Sequence, residues 1–154
     1  MTLKKGEIAP SFALPASNGQ TVSLRDFLGK KVVVFFYPRD NTPGCTREVC
    51  SFRDCYDDIQ ETGAIVLGIS GDNMESHEKF ISEYGLPFLL LSDGDNEMSE
   101  DYGAWGEKKN YGRIYMGMHR ITYLIDEYGK IAKVWRKVKP DNHGEDVLAA
   151  IRGS

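Results

Sequence analysis

Residues 31–45 read KVVVFFYPRDNTPGC. The first seven, Lys31 to Tyr37, form an unbroken β-branched and aromatic run, the mark of a strand covered on both faces and therefore central in its sheet. Pro38 stops the run, and Arg39 to Gly44 is a polar, turn-forming loop. Thr42 suits a helix N-cap and Pro43 the first helical turn, so a helix is expected over about residues 44–61. A central strand, a short loop and a helix start therefore converge on Cys45.

The same patterning organises the chain on either side. Upstream, Phe12 and Leu14 answer Val22 and Leu24 across Asn18-Gly19, which predicts a short hairpin over residues 11–23. Downstream, residues 64–70 (AIVLGIS) read as a second buried strand, 75–84 as a charged amphipathic helix and 88–91 as a third short strand. Helical patterning returns over residues 97–102, and a glycine-rich aromatic stretch fills 103–117. Residues 121–125 and 131–138 form a hairpin around Asp126-Glu127-Tyr128-Gly129, and 145–151 form the last helix. Strands alternating with helices, then a hairpin and a helix, give an α/β fold of the thioredoxin type: a central mixed β-sheet flanked by helices, with an N-terminal β-hairpin. No repeat or linker interrupts the pattern, and a single domain over residues 1–154 is expected.

Composition narrows the function classes. With 41% hydrophobic and 27% charged residues the chain matches folded globular proteins. A net charge of -4 with interspersed signs offers no broad attraction for nucleic acid or an anionic membrane, so neither partner is expected. The first residues carry no apolar run of signal or membrane type, which points to the cytoplasm. Three cysteines bunched at 45, 50 and 55 do not make a secreted disulfide scaffold, which leaves reactive or merely packed thiols.

Cys45 would lie in the first helical turn, beside backbone N–H groups that have no intrahelical partner. That environment favours the thiolate, the nucleophilic form of the side chain. Position alone leaves a reactive cysteine and an inert packed one both open. Five residues of helix put the Cα atoms of Cys45 and Cys50 about 8 to 9 Å apart, whereas a disulfide needs about 7 Å or less, so a bond between them requires the first turns to unwind. Cys55, further along the same expected helix, reads as a small packed side chain.

The run Pro38-Arg39-Asp40-Asn41-Thr42-Pro43-Gly44-Cys45 resembles the peroxiredoxin signature Pro-x-x-x-Thr-x-x-Cys. The chain is similar in particular to the bacterioferritin comigratory protein, or peroxiredoxin Q, subgroup. The likeness is carried by Gly44-Cys45-Thr46, the Cys50 spacing, Tyr102 to Lys108 (YGAWGEK) and His119 to Asp126 (HRITYLID), and it spans nearly the whole chain. It implies that Cys45 is the peroxidatic cysteine, that Thr42 holds the peroxide, that Arg120 polarises it and stabilises the thiolate, and that Pro38 shields the pocket. A guanidinium suits that task because it stays charged and donates several hydrogen bonds. Apart from the resemblance, Glu48, three residues after Cys45, could orient Arg120 or another basic group through a charge-assisted hydrogen bond, although helix carboxylates are usually just solvated. Cys50 stands at the resolving position, where its thiol would condense with the Cys45 sulfenic acid before overoxidation. The resemblance further implies a hydroperoxide substrate, reduction by thioredoxin or a related dithiol, no cofactor, and a monomer with a dimer as the alternative.

Two rival readings face the same residues. A thioredoxin-like disulfide reductase would share the fold but uses Cys-x-x-Cys, whereas four residues separate Cys45 from Cys50. A metal module built on the cysteines with His77, His119 or His143 lacks any pair at ligand spacing, so no metal is expected. Trp105, Tyr102 and Tyr111 could wall a substrate site or a dimer contact, but aromatic residues among glycines are most often ordinary packing.

Overall fold

The computed structural model describes residues 2–153. The chain opens with β1 (Ala13–Pro15) and β2 (Thr21–Ser23), paired antiparallel with Leu14 opposite Val22. Leu24 N–H donates to the Phe12 carbonyl at 3.3 Å, which completes the expected hairpin. A 3-10 turn, Leu24–Phe27, leads into β3 (Val32–Phe36), all of it buried. Then come α1 (Pro43–Asp54), α2 (Tyr56–Glu61), β4 (Ile65–Ser70), α3 (Met74–Tyr84), β5 (Leu89–Ser92) and α4 (Glu97–Asp101). β6 (Trp105–Asn110), β7 (Arg113–Met118), β8 (Ile121–Ile125), β9 (Ile131–Trp135), a 3-10 turn at Pro140–Asn142 and α5 (His143–Arg152) complete the order.

Five strands form the main sheet in the order β5-β4-β3-β8-β9, with β3 parallel to β4 and antiparallel to β8. This is the mixed central sheet expected from the sequence. The period-2 geometry of a strand sends alternate residues of β3 to opposite faces. Val32, Val34 and Phe36 join the core beneath the β1–β2 hairpin, α4 and Met118, while Val33, Phe35 and Tyr37 join the core beneath α1, α3 and α5. Cys45 belongs to the second of these cores.

Three expectations need correcting. The single helix over residues 44–61 is two helices, broken at Cys55. There the Cys55 amide bonds Arg53 O instead of Ser51 O, and the Cys55 thiol donates to the Ser51 carbonyl at 3.3 Å, so a side chain takes the place of the missing helical amide. Residues 103–117 hold a second hairpin, β6–β7, turned at Tyr111-Gly112 with φ of 50° and 79°. Two consecutive left-handed residues suit a two-residue hairpin turn, and a glycine adopts the second without strain. The last strand stops at Trp135, short of the expected residue 138.

Candidate active site

α1 begins where the sequence placed it. Thr42 has an extended backbone, its carbonyl accepts the Thr46 N–H at 2.8 Å, and Pro43 fills the first helical position. The Thr42 hydroxyl departs from the usual capping role: it donates to the Arg39 carbonyl at 2.9 Å and caps no amide. The amides of Gly44 and Cys45 precede the first intrahelical bond, and no acidic residue occupies the first turn. The positive end of α1 therefore meets Cys45 without a competing local carboxylate.

Cys45 is fully buried, and Arg120 reaches it from the short link between β7 and β8. Arg120 Nη2 donates to Cys45 Sγ at 3.3 Å, while Nη1 donates to Glu48 Oε1 at 2.7 Å. One guanidinium thus bridges the sulfur and a carboxylate three residues further along α1. The fit is close, since a Cβ added to Gly44 would lie 3.1 Å from Nη2. Burial acts against the charge on Arg120, but Glu48 and Cys45 outweigh it and raise its pKa.

Glu48 has no exposure to solvent. Burial pushes its pKa up to about 7, with Arg120 pulling the other way but not far enough to restore the ordinary carboxylate range. Its Oε2 atom has no hydrogen-bond partner among the described residues and lies 4.0 Å from His143 Nε2. His143, at the start of α5, places that nitrogen 2.7 Å from Thr122 Oγ1 on β8. Burial, then the charge of Arg120, lowers the His143 pKa to about 4, so the ring is neutral near pH 7 and forms no ion pair with Glu48 there.

The remaining expected residues lie outside these contacts. Pro38 is half-buried and, with Arg39, Trp105, Lys108, Tyr115 and Met118, lines an open cavity of about 530 Å³. Cys50 is half-buried on α1 and Cys55 is buried at its end; all three cysteines are free thiols. Burial raises the pKa of Cys50 and, aided by Glu145 and Asp58, pushes that of Cys55 up to about 11. Tyr102 is packed in the core, Trp105 borders the cavity and Tyr111 points into solvent, so the three aromatics do not form one wall.

Sequence reasoning missed Lys108 and the role of His143. Lys108 Nζ donates to the Met118 carbonyl at 2.7 Å, and burial followed by the charge of Arg120 lowers its pKa. His119 Nε2 lies 3.0 Å from the Glu107 carbonyl. β6 is thereby clasped to the end of β7, which steadies the link that carries Arg120. The only signal for this arrangement was Tyr111-Gly112 between two strand-length runs.

Comparison with known proteins shows the family. The AhpC/TSA family model matches residues 5–134. "Putative peroxiredoxin bcp" of Coxiella burnetii is 47% identical over 151 residues, 98% of this chain and 100% of that protein. "Peroxiredoxin Bcp" of Bacillus subtilis is 44% identical over 152 residues, 99% and 97% of the two chains. The solved structure of the Xanthomonas campestris bacterioferritin comigratory protein superposes with a TM-score of 0.88 at 37% identity, covering 92% of this chain and 90% of that one. The chain belongs to the AhpC/TSA family as a peroxiredoxin of the Bcp and peroxiredoxin Q kind, and it is a thiol-dependent peroxidase.

Proposed function

We propose that Cys45 is the peroxidatic cysteine and Cys50 the resolving one. The observation that carries this reading is the Arg120 guanidinium, which donates to Cys45 Sγ at 3.3 Å at the open start of α1. The Cys45 thiolate attacks the outer oxygen of a hydroperoxide; an S–O bond forms, the O–O bond breaks, and the departing alkoxide or hydroxide takes up a proton. Arg120 faces the charge that shifts from sulfur to oxygen, which is where fixed donors act most strongly. Because the Thr42 hydroxyl has committed its proton to Arg39 O, its free lone pairs suit the role of acceptor for the hydroperoxide O–H. Pro38 shields the site beside the cavity, and Glu48 holds the far side of the guanidinium.

Cys45 sulfenic acid then condenses with the Cys50 thiol, releasing water and forming a disulfide. Helical spacing forbids that bond in an intact first turn, so residues 43–50 unwind to make it. Thioredoxin or a related dithiol reduces the disulfide by exchange, becoming oxidised itself. Cys55 takes no part, since its thiol is occupied with Ser51 O and resists ionisation. Hydrogen peroxide and organic hydroperoxides are the substrates, in keeping with the alkyl peroxide reduction described for the Xanthomonas campestris protein. Among the described residues no helix is long and apolar enough to cross a membrane. We place the enzyme in the cytoplasm, working as a monomer. Peroxide consumption with and without a thioredoxin system tests the assignment: wild type turns over only with the reductant, and Cys45→Ser does not turn over at all. Substantial turnover by Cys45→Ser would sink it.

A further inference from the structure

The loop that delivers Thr42 and the start of α1 is held from a direction the reaction does not involve. Asp40, two residues before Thr42, is buried, and its carboxyl group meets three polar side chains. Tyr37 Oη donates to Oδ1 at 2.5 Å, while Ser76 Oγ at 2.8 Å and His77 Nδ1 at 2.7 Å meet Oδ2. His77 has no exposure to solvent, and its other nitrogen, Nε2, lies 3.1 Å from the Leu91 carbonyl. A carbonyl only accepts, so Nε2 carries a hydrogen, and the ring is fixed between β5 and the loop. The Asp40 amide donates to Asp72 Oδ2 at 2.7 Å, an oxygen that also accepts from Ser70 Oγ.

The next residue repeats the arrangement. Asn41 Nδ2 donates to Glu83 Oε2 at 3.1 Å, and Tyr84 Oη donates to Asn41 Oδ1 at 3.2 Å. Asn41 has a φ of 60°, a left-handed turn that asparagine adopts more readily than other non-glycine residues and that these two bonds hold in place. Among the described residues the Thr42 hydroxyl, by contrast, is tied only to Arg39 O within the same loop. Its aim is inherited from Asp40 and Asn41, and both of these are anchored on α3 and the strand ends beside it.

We propose that His77 is a positioning residue for the peroxide reaction: through Asp40 it clamps the Pro38 to Thr42 loop onto α3 and β5, and so fixes where the Thr42 hydroxyl and the first amides of α1 meet the hydroperoxide. His77 touches neither Cys45 nor the substrate. The inference rests on Cys45 being the peroxidatic cysteine. It separates two properties of the site: Arg120 governs the reactivity of the sulfur, and the clamp governs the placement of the oxygen being attacked.

Two near-isosteric amides test it in the full chain. His77→Asn keeps a donor where Nδ1 stands, facing Asp40, and gives up the bond to Leu91 O; His77→Gln keeps the distal donor and gives up Asp40. Single-turnover oxidation of Cys45 by hydrogen peroxide is read beside its alkylation by iodoacetamide, followed by peptide mass, and the melting temperature. The expected result is a peroxide step slowed about tenfold or more in His77→Gln and within about threefold of wild type in His77→Asn, because small misplacements of reacting groups cost rate steeply. Alkylation stays within about twofold in both, since it needs the thiolate but no aligned oxygen. Should either amide fail to fold, Ser76→Ala removes a donor to the same Asp40 oxygen from a half-buried position and is expected to slow the peroxide step about threefold with alkylation unchanged. An unaltered peroxide rate in His77→Gln or Ser76→Ala, or peroxide and alkylation rates that fall together or follow stability, would overturn the clamp. Failure of wild-type Cys45 to react with peroxide would overturn the site reading instead.

Discussion

The two halves of α1 are held by different forces. From Pro43 to Cys50, beside the core packing of Cys45 and Val49, the helix carries the site's polar contacts: Arg120 to Cys45 and Glu48, and an exposed Arg47 to Asp141 pair at 2.8 Å. From Ser51 to Asp54 the contacts are aromatic packing and side-chain bonds to neighbouring backbone, beside a pair between the adjacent Arg53 and Asp54 at 3.0 Å. Phe52 stacks on Phe35 at 4.7 Å between ring centres and meets the His143 ring edge-on at 5.4 Å. Ser51 Oγ accepts the Gly144 N–H at 2.9 Å, and Arg53 Nη1 donates to the Tyr84 carbonyl at 2.9 Å. In the proposed cycle the first turns open once the sulfur is oxidised, and the Arg120 to Cys45 contact is the one there that loss of the thiolate charge weakens. The second half is expected to stay in place, because oxidation of Cys45 removes no contact of the Phe52 stack.

Arg120→Met breaks the first half hardest. It removes both donors from the site while keeping a comparable apolar stem, and the rate constant for peroxide should fall by about a hundredfold or more with the fold intact. Stopped-flow oxidation beside circular dichroism checks this, and an unchanged rate constant would remove Arg120 from the mechanism.

A second measurement sharpens the contrast through pH. Folded Glu48 holds its proton up to about pH 7, against an ordinary 4.5. Between those values the folded state binds a proton that the unfolded chain has lost, so Glu48 lowers stability as pH rises, by on the order of 3 kcal/mol once complete. His143, at about 4 against 6.5, acts in the opposite sense: the unfolded chain takes the proton first, and stability rises with pH across that window. In wild type the two slopes oppose each other from pH 4.5 to 6.5. Urea melts should show stability rising with pH over that range in Glu48→Gln and falling in His143→Gln. Parallel slopes in the two variants would break the account of this pair.

The smallest expected effect lies in the second half. A Cβ on Gly144 would strike the Ser51 carbonyl and the Phe52 amide, backbone atoms that cannot turn aside. Gly144→Ala should cost about 1 to 3 kcal/mol of stability. Its peroxide rate constant should stay near wild type at temperatures where it is folded, and a large loss of rate without loss of stability would show that the two halves are not separable.

Local chemistry was legible in the sequence, and partners across the fold were not. KVVVFFY placed β3, and Thr42-Pro43 placed the start of α1 to within a residue, because strand burial and helix starts are written in adjacent positions. The likeness to a family brought Cys45 and Arg120 to one site, and the spacing of Glu48 after Cys45 suggested a basic partner; the structure joins all three. The break at Cys55 was hidden because no glycine or proline marks it; a thiol replacing an amide has no sequence signature. The β6–β7 hairpin was overlooked because Glu107-Lys108-Lys109 carries no apolar alternation, although Tyr111-Gly112 was available as a turn signal. His143 could not be linked to Glu48, nor His77 to Asp40, since a single histidine in a sequence shows nothing of its neighbours.

The central claim is that Cys45 and Cys50 join at the expense of the first half of α1 alone. Hydrogen exchange across α1, before and after one equivalent of hydrogen peroxide and paired with non-reducing peptide maps, tests it most directly. The predicted result is a Cys45 to Cys50 bond within one chain, Cys55 free, protection lost over residues 43–50 and retained over 51–54. A dominant bond to Cys55 or between chains, or full protection over residues 43–50 beside a confirmed Cys45 to Cys50 bond, would contradict it.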